Sequence, residues 1–202
     1  MTGGKVNQVI DPSGRWSRAR WVASPNADAR PEEEVSLIVV HAISLPPGEF
    51  GGEAIESLFT NRLDAAAHPF FAEIAELRVS AHFLVRRDGE CVQFVDTARR
   101  AWHAGRSRWW DARCDRRRHA LNDFSVGIEL EGDDHTPFTR AQYATLAALT
   151  GWLMARYAAL DTTRITSHAN IAPLRKTDPG PAFDWAYFYQ LLLPAAVAPA
   201  AQ

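Results

Sequence analysis

Val35-Ser36-Leu37-Ile38-Val39-Val40-His41 reads as a buried strand that ends in an imidazole. The run is apolar and β-branched, and Ala42-Ile43-Ser44-Leu45-Pro46-Pro47-Gly48 after it carries the residues that turn a strand into a loop. A histidine at the end of a buried strand is well placed to serve a cleft. Outward from it, His82–Arg86, Cys91–Val95, Val126–Glu131 and Ile165–Ser167 read as further strands, with Arg87-Asp88-Gly89-Glu90 as a hairpin turn. The clearest helix is expected from Thr139 to about Leu160, where Thr139 can cap and Tyr143, Leu146, Leu149, Leu153 and Tyr157 form an apolar stripe at helical spacing. Shorter helices are expected from Glu53 to Asn61 and from Trp185 to Leu193. Together these predict an α/β (α+β) fold, a single domain whose central mixed sheet is flanked by helices and whose site residues come from strand ends and a loop.

The chain has 202 residues, 47% of them hydrophobic, which suits one domain with a full core. Residues 1–20 read as an N-terminal extension, 21–193 as the domain, and 194–202, rich in Ala and Pro, as a flexible tail. A formal charge of -2 gives no general attraction to nucleic acid. The basic stretch Arg106-Ser107-Arg108-Trp109-Trp110-Asp111-Ala112-Arg113-Cys114-Asp115-Arg116-Arg117-Arg118-His119 reads instead as an extended loop over a cleft rim. Cys91 and Cys114 show no disulfide pattern, so a reducing compartment is expected. Met1 to Arg20 is polar and broken by Pro12 and Gly14, unlike the apolar core of a signal peptide, and no run approaches the roughly 18 apolar residues of a membrane span. The expectation is a cytoplasmic protein with no nucleic-acid, membrane or obligate protein partner.

The chemistry concentrates at the other end of the chain. In Ser167-His168-Ala169-Asn170-Ile171-Ala172-Pro173-Leu174-Arg175-Lys176-Thr177-Asp178-Pro179-Gly180-Pro181, Lys176 and Asp178 follow His168 by eight and ten residues on a segment that reads as too proline-rich for a helix. Pro179 biases Asp178 toward an extended conformation, in which Lys176 and Asp178 point the same way. This reads as half of a metal site, which the spacing alone does not establish, and His41 is the best candidate for the missing ligand. In Phe124-Ser125-Val126-Gly127-Ile128-Glu129-Leu130-Glu131, alternation puts Phe124, Val126, Ile128 and Leu130 on one face and Ser125, Gly127, Glu129 and Glu131 on the other, so Glu129 can face a cleft.

These stretches, with Ser80-Ala81-His82-Phe83-Leu84-Val85-Arg86-Arg87-Asp88-Gly89 and Ala101-Trp102-His103-Ala104-Gly105, resemble in order the cytoplasmic N-acetylmuramoyl-L-alanine amidases of cell-wall recycling, the AmpD type, from about Trp21 to about Leu193. The resemblance implies the amidase fold shared with peptidoglycan recognition proteins. It implies one Zn²⁺ per chain held by His41, His168 and Asp178, Glu129 as general acid/base, and Lys176 as partner of the developing oxyanion. The implied substrate is an anhydro-muropeptide, cleaved between N-acetylmuramic acid and L-alanine. Two imidazoles and a carboxylate leave one position of a tetrahedral zinc open, as catalytic sites do.

Trp102 is a candidate for stacking on a sugar, and Arg78 for pairing with peptide carboxylates. His82 and His103 are both read as lining the site, in contact with substrate or supporting the ligands, with plain packing as the alternative. One departure stands out: Ala42 occupies a position where the recycling amidases usually carry Asn, so an amide that could hold substrate is missing. Ala169-Asn170 after His168 is a smaller one. Two rival readings remain, an amidase for intact wall fragments and a non-hydrolytic peptidoglycan-binding module.

Overall fold

The apolar run before His41 forms a strand whose Leu37, Ile38, Val39 and Val40 are 0% exposed. Burial of both faces is what an unbroken apolar strand needs, and it is met by placing the strand inside a largely parallel sheet with material on either side. In the computed structural model, residues 14–31 and 34–193 are described. Their elements in chain order are β1 (Arg20–Trp21), β2 (Ala27–Ala29), β3 (Leu37–Ile43), α1 (Ala54–Phe59), α2 (Pro69–Ile74), β4 (Phe83–Val85), β5 (Cys91–Gln93), β6 (Arg99–Ala101), β7 (Trp109–Asp111), β8 (Arg116–Arg118), β9 (Ser125–Glu131), α3 (Arg140–Arg156), β10 (Ile165–Ser167), α4 (His168–Ile171) and α5 (Trp185–Leu192).

Six strands form one sheet in the order β1-β5-β4-β9-β3-β10. β3 pairs parallel with β9 and with β10, β4 pairs parallel with β9, and β4 and β5 form the antiparallel hairpin expected around Asp88-Gly89. Two small ribbons, β2 with β6 and β7 with β8, stand apart from it.

One face of the sheet is covered by α3 and α5. Ile38, Val40, Val126, Ile128 and Leu130 point to this side and meet Tyr143, Leu146, Leu149, Leu153 and Phe188. The cap of α3 is reciprocal: the Gln142 backbone N–H donates to Thr139 Oγ1 at 3.1 Å, and the Thr139 N–H donates to Gln142 Oε1 at 3.0 Å. The helix stops at Arg156, short of the expected Leu160, because Tyr157 has already turned to extended backbone.

The opposite face carries two apolar clusters rather than one. Leu84, Val92 and Phe94 pack under Ile55, Leu58, Phe59 and Phe71 from α1 and α2. Leu37 and Val39 pack under Leu121, Phe124 and Ile171. Phe124 therefore does not share the face of Val126, as alternation predicted, because β9 begins only at Ser125 and Phe124 closes the single 3₁₀ turn Leu121–Asp123 before it.

Two further expectations change. Residues from Gly14 belong to the domain: Trp16 is buried against Trp152, and β1 extends the sheet beside β5, so only residues 1–13 of the expected extension, like the tail 194–202, lie outside the described residues. The stretch 106–119 is a hairpin, pinned where Arg164 grips Asp111 with two hydrogen bonds of 2.6 and 3.1 Å, both side chains buried. Among the described residues no helix is long and apolar enough to cross a membrane.

Candidate active site

The sheet register assembles the site. His41 of β3 lies opposite Glu129 of β9 in a parallel pair. On the other side β10 pairs Ser167 with Val40, so the next residue, His168, arrives beside His41. Ser167 caps α4 by accepting the Asn170 N–H at 3.0 Å, and His168 opens that helical turn. The segment was expected to be non-helical; its prolines lie further on, so one turn fits before Pro173 ends it. The chain then loops back, held where the Ala169 N–H donates to the Asp178 carbonyl at 2.9 Å, and presents the Asp178 carboxylate to both imidazoles.

Three donor atoms meet there. His41 Nδ1 and His168 Nδ1 are 2.9 Å apart, and Asp178 Oδ2 lies 3.3 Å from the first and 3.0 Å from the second. The set could hold a metal ion. Its protonation suits a cation: burial lowers the His41 pKa to about 4, so its ring is neutral at pH 7. Burial alone would raise the Asp178 pKa, but the bonds from His168 and His41 outweigh it and hold the carboxyl well below its ordinary range. The His41–Asp178 contact is thus neutral imidazole against carboxylate, not an ion pair. Both histidines are buried, while Asp178 keeps partial exposure toward the cleft.

Glu129 stands beside this group with a buried Oε2 that has no hydrogen-bond partner. Burial first, and the Asp178 charge second, push its pKa well above the ordinary carboxylate value, with Lys176 pulling the other way. A lone buried carboxyl of this kind is costly to fold and is found where protons are moved. Lys176 is exposed and lines a cleft of about 640 Å³ together with Ala42, Ser44, Gly132, Arg175 and Asp178. Ala42 thus faces the cleft mouth, as Lys176 and Asp178 do.

The remaining expected residues divide. Trp102 is half-buried just after β6, its backbone N–H donating to Ser80 Oγ at 3.0 Å. Arg78 is exposed, and its hydrogen bonds are local, to Ala75 O at 3.3 Å and Glu76 at 3.5 Å. His103 is not presented to substrate by a free nitrogen: Nδ1 lies 2.9 Å from His41 Nε2 and Nε2 lies 3.1 Å from Ser125 Oγ. His82 is support as well. Its Nδ1 accepts the Gly127 N–H at 3.0 Å, its Nε2–H donates to Arg99 O at 3.1 Å, and burial, helped by Arg30, lowers its pKa to about 3.

Sequence reading passed over Arg30, Ser125 and Gly127. Arg30 ties the segment ends together by donating to the carbonyls of Asn122, Asp123 and Arg99 at 2.8 to 2.9 Å. Ser125 and Gly127 did carry a signal, since both alternate onto the Glu129 face of β9.

Residues 31–181 match the family model described as N-acetylmuramoyl-L-alanine amidase. The chain is 56% identical over 184 residues to the 1,6-anhydro-N-acetylmuramyl-L-alanine amidase AmpD of Citrobacter freundii, covering 91% of this chain and 95% of that one. A crystal structure of a selenomethionine AmpD derivative superposes with a TM-score of 0.84 at 56% identity, covering 90% of this chain and 98% of that chain. The E. coli amidase AmiD, in complex with its substrate anhydro-N-acetylmuramic acid-L-Ala-D-gamma-Glu-L-Lys, is 28% identical with a TM-score of 0.55, covering 88% of this chain and 60% of that one.

Proposed function

Because the chain belongs to the N-acetylmuramoyl-L-alanine amidase family, we propose that His41, His168 and Asp178 hold the Zn²⁺ of an amidase that hydrolyses the bond between 1,6-anhydro-N-acetylmuramic acid and L-alanine in muropeptides. The observation that carries this is the convergence of two imidazoles and one ionised carboxylate on a single point, beside a carboxyl whose buried oxygen is unused. Neutral nitrogen and anionic oxygen donors are the set zinc takes in catalytic sites. When bound, Zn²⁺ supplies Lewis acidity at the scissile carbonyl and lowers the pKa of water to roughly 7.

The chain's own residues do the rest. Glu129 takes the proton of the attacking water and returns it to the amine nitrogen of L-alanine as the carbon–nitrogen bond breaks. Its raised pKa favours the second half of that exchange, in which it acts as an acid. Lys176, on the open side of the cleft, places its ammonium where the carbonyl oxygen gains charge in the transition state. Trp102 and Arg78 are assigned to the sugar and the peptide carboxylates, the contacts their chemistry offers. A role in cell-wall recycling carries with it a cytoplasmic location.

The test is a joint measurement of metal and turnover. The purified chain should contain one zinc, release free peptide from anhydro-muramyl-tripeptide, stop with chelator and restart with added zinc. It should act poorly on whole sacculi. Zinc-bearing protein that binds muropeptide without releasing peptide would overturn the catalytic reading in favour of a binding module.

A further inference from the structure

We infer that His103 is a positioning residue, which holds His41 in the tautomer whose Nδ1 lone pair points at the metal position. The inference rests on the ligand role proposed for His41. It starts from Ser125 Oγ, which lies 2.6 Å from the carbonyl oxygen of Leu121. Two oxygens that close need a proton between them, and the carbonyl has none to give, so the Ser125 hydroxyl donates to Leu121. The serine oxygen then has only lone pairs to offer His103 Nε2 at 3.1 Å, so that nitrogen carries the ring proton. His103 Nδ1 is left as an acceptor. At 2.9 Å it receives the Nε2–H of His41, and His41 Nδ1 is left bare. That bare nitrogen is the one 2.9 Å from His168 Nδ1 and 3.3 Å from Asp178 Oδ2.

Direction therefore runs from a backbone carbonyl through a hydroxyl and one imidazole to the ligand. The anchor is rigid, since Leu121 and Ser125 are 0% exposed and bracket the 3₁₀ turn that starts β9. The His103 ring also has a place made for it. A Cβ on Gly127 would stand 2.6 Å from His103 Nδ1, so only glycine at this point of the central strand lets the ring lie across the sheet. The backbone is fixed too, with the N–H groups of His103 and Ala104 donating to Asn122 Oδ1 at 3.3 and 2.8 Å. With the opposite tautomer, His41 would aim an N–H at the cation and a metal would first have to displace that proton. Partners on the outer nitrogen of a ligating histidine fix its tautomer in this way, and their loss costs metal affinity about 10- to 100-fold.

The experiment uses the full chain with ¹⁵N-labelled histidine, first freed of metal by chelator and then titrated with zinc against a chromophoric competitor. Long-range ¹H–¹⁵N spectra of the metal-free protein should show His41 as a single Nε2–H tautomer. His103→Leu keeps the volume but removes the acceptor; it should give His41 mixed tautomers and weaken zinc binding by about 10- to 100-fold. His103→Asn returns an acceptor oxygen near the position of Nδ1 and should recover most of the affinity, which a purely structural role would not allow. Ser125→Ala, a smaller change to the fold, should loosen the His103 tautomer and weaken zinc less.

An Nδ1–H tautomer at His41 in the parent, or unchanged zinc affinity in folded His103→Leu, would overturn the inference. Should His103→Leu fail to fold, Ser125→Ala with an unchanged His41 spectrum and unchanged affinity would do so. A parent chain that binds no zinc would instead sink the ligand reading, while the tautomer spectrum still judges the relay.

Discussion

The site has a sheet-borne half and a loop-borne half, and they are built differently. His41 and Glu129 sit opposite each other on the two longest strands, the first buried and the second half-buried, with a paired strand on either side. Lys176 and Asp178 sit on the return loop after α4, the first exposed and the second partly so. The sheet half sets where the chemistry happens, to within the precision of a strand register. The loop half brings charge to that place and borders the cleft of about 640 Å³. Rigid elements holding the scaffold while loops meet the substrate is the usual division of labour in such sites.

If this division is right, the largest effect should come from removing a ligand, whichever half it belongs to. His168→Ala or Asp178→Ala leaves two protein donors, and zinc content and peptide release should fall together to background, as read by metal analysis of the purified variants. A variant that retains zinc while losing activity would mean the ion is held elsewhere.

Next come the two groups that should lose rate but keep metal. Glu129→Ala should lower kcat by about 10²- to 10⁴-fold with full zinc content, the range for a positioned acid/base. Lys176→Ala should lower kcat by about 100-fold, the low end for one oxyanion donor, because the side chain is exposed in the free protein and water weakens its field. An equal loss from both would erase the contrast between a desolvated and a solvated group. A rise in KM without loss of kcat for Lys176→Ala would make it a binding residue.

The halves should also separate under acid. The His82 pKa is lowered from 6.5 to about 3 by burial and by Arg30, so the folded protein keeps this ring neutral. Above pH 6.5 the ring is neutral in both folded and unfolded chains, and the full stability is present. As pH falls from 6.5 toward 3, the unfolded chain binds a proton that the folded one refuses, and stability drops by up to about 4 kcal/mol. His41 and His103 shift in the same direction for the same first cause, burial, and add to the slope. Denaturant titrations of the metal-free protein across this window should show stability falling steeply, and His82→Gln should reduce the slope by about one proton. An unchanged slope would mean that His82 gains solvent or a counter-charge when it titrates.

The same contrast governs what could be read from the chain alone. β3, β9, β10 and α3 are legible because an apolar run or a 3.6-residue stripe reports its own burial, and His41 and Glu129 inherit their positions from those patterns. The register that sets them side by side is not legible, since it is fixed by packing between strands 88 residues apart in sequence. Lys176 and Asp178 could be picked out as a pair and His41 as a candidate partner at a strand end, but that His41, His168 and Asp178 form one set was implied only by the family resemblance. Short elements with no periodicity, such as β1, β2 and β6, gave no sign, and the basic stretch 106–119 hid a hairpin whose anchor, Arg164 with Asp111, joins residues 53 positions apart. Lining, support and packing could not be told apart for His103, because nothing local shows that Gly127 makes room for its ring.

Ala42 tests the boundary between the halves. It belongs to β3 by register, opposite Leu130, yet the sheet ends one residue later and Ala42 lines the cleft with Ser44, Lys176 and Asp178. A side chain here is sheet-positioned and half-buried, packed against the α3-side core on one edge and bordering the cleft on the other, so a polar group placed on it can reach the cleft. Ala42→Asn should therefore cost little stability and leave zinc content unchanged. An amide held at this point can hydrogen-bond a substrate, and one such bond contributes about 1 kcal/mol net, roughly a fivefold gain in kcat/KM on anhydro-muramyl-tripeptide. Steady-state kinetics of the variant beside the parent decides it. A gain confined to KM places the amide on the bound peptide, a gain in kcat places it on the reacting carbonyl, and no gain means that the loop-borne half already satisfies the substrate groups near Ala42.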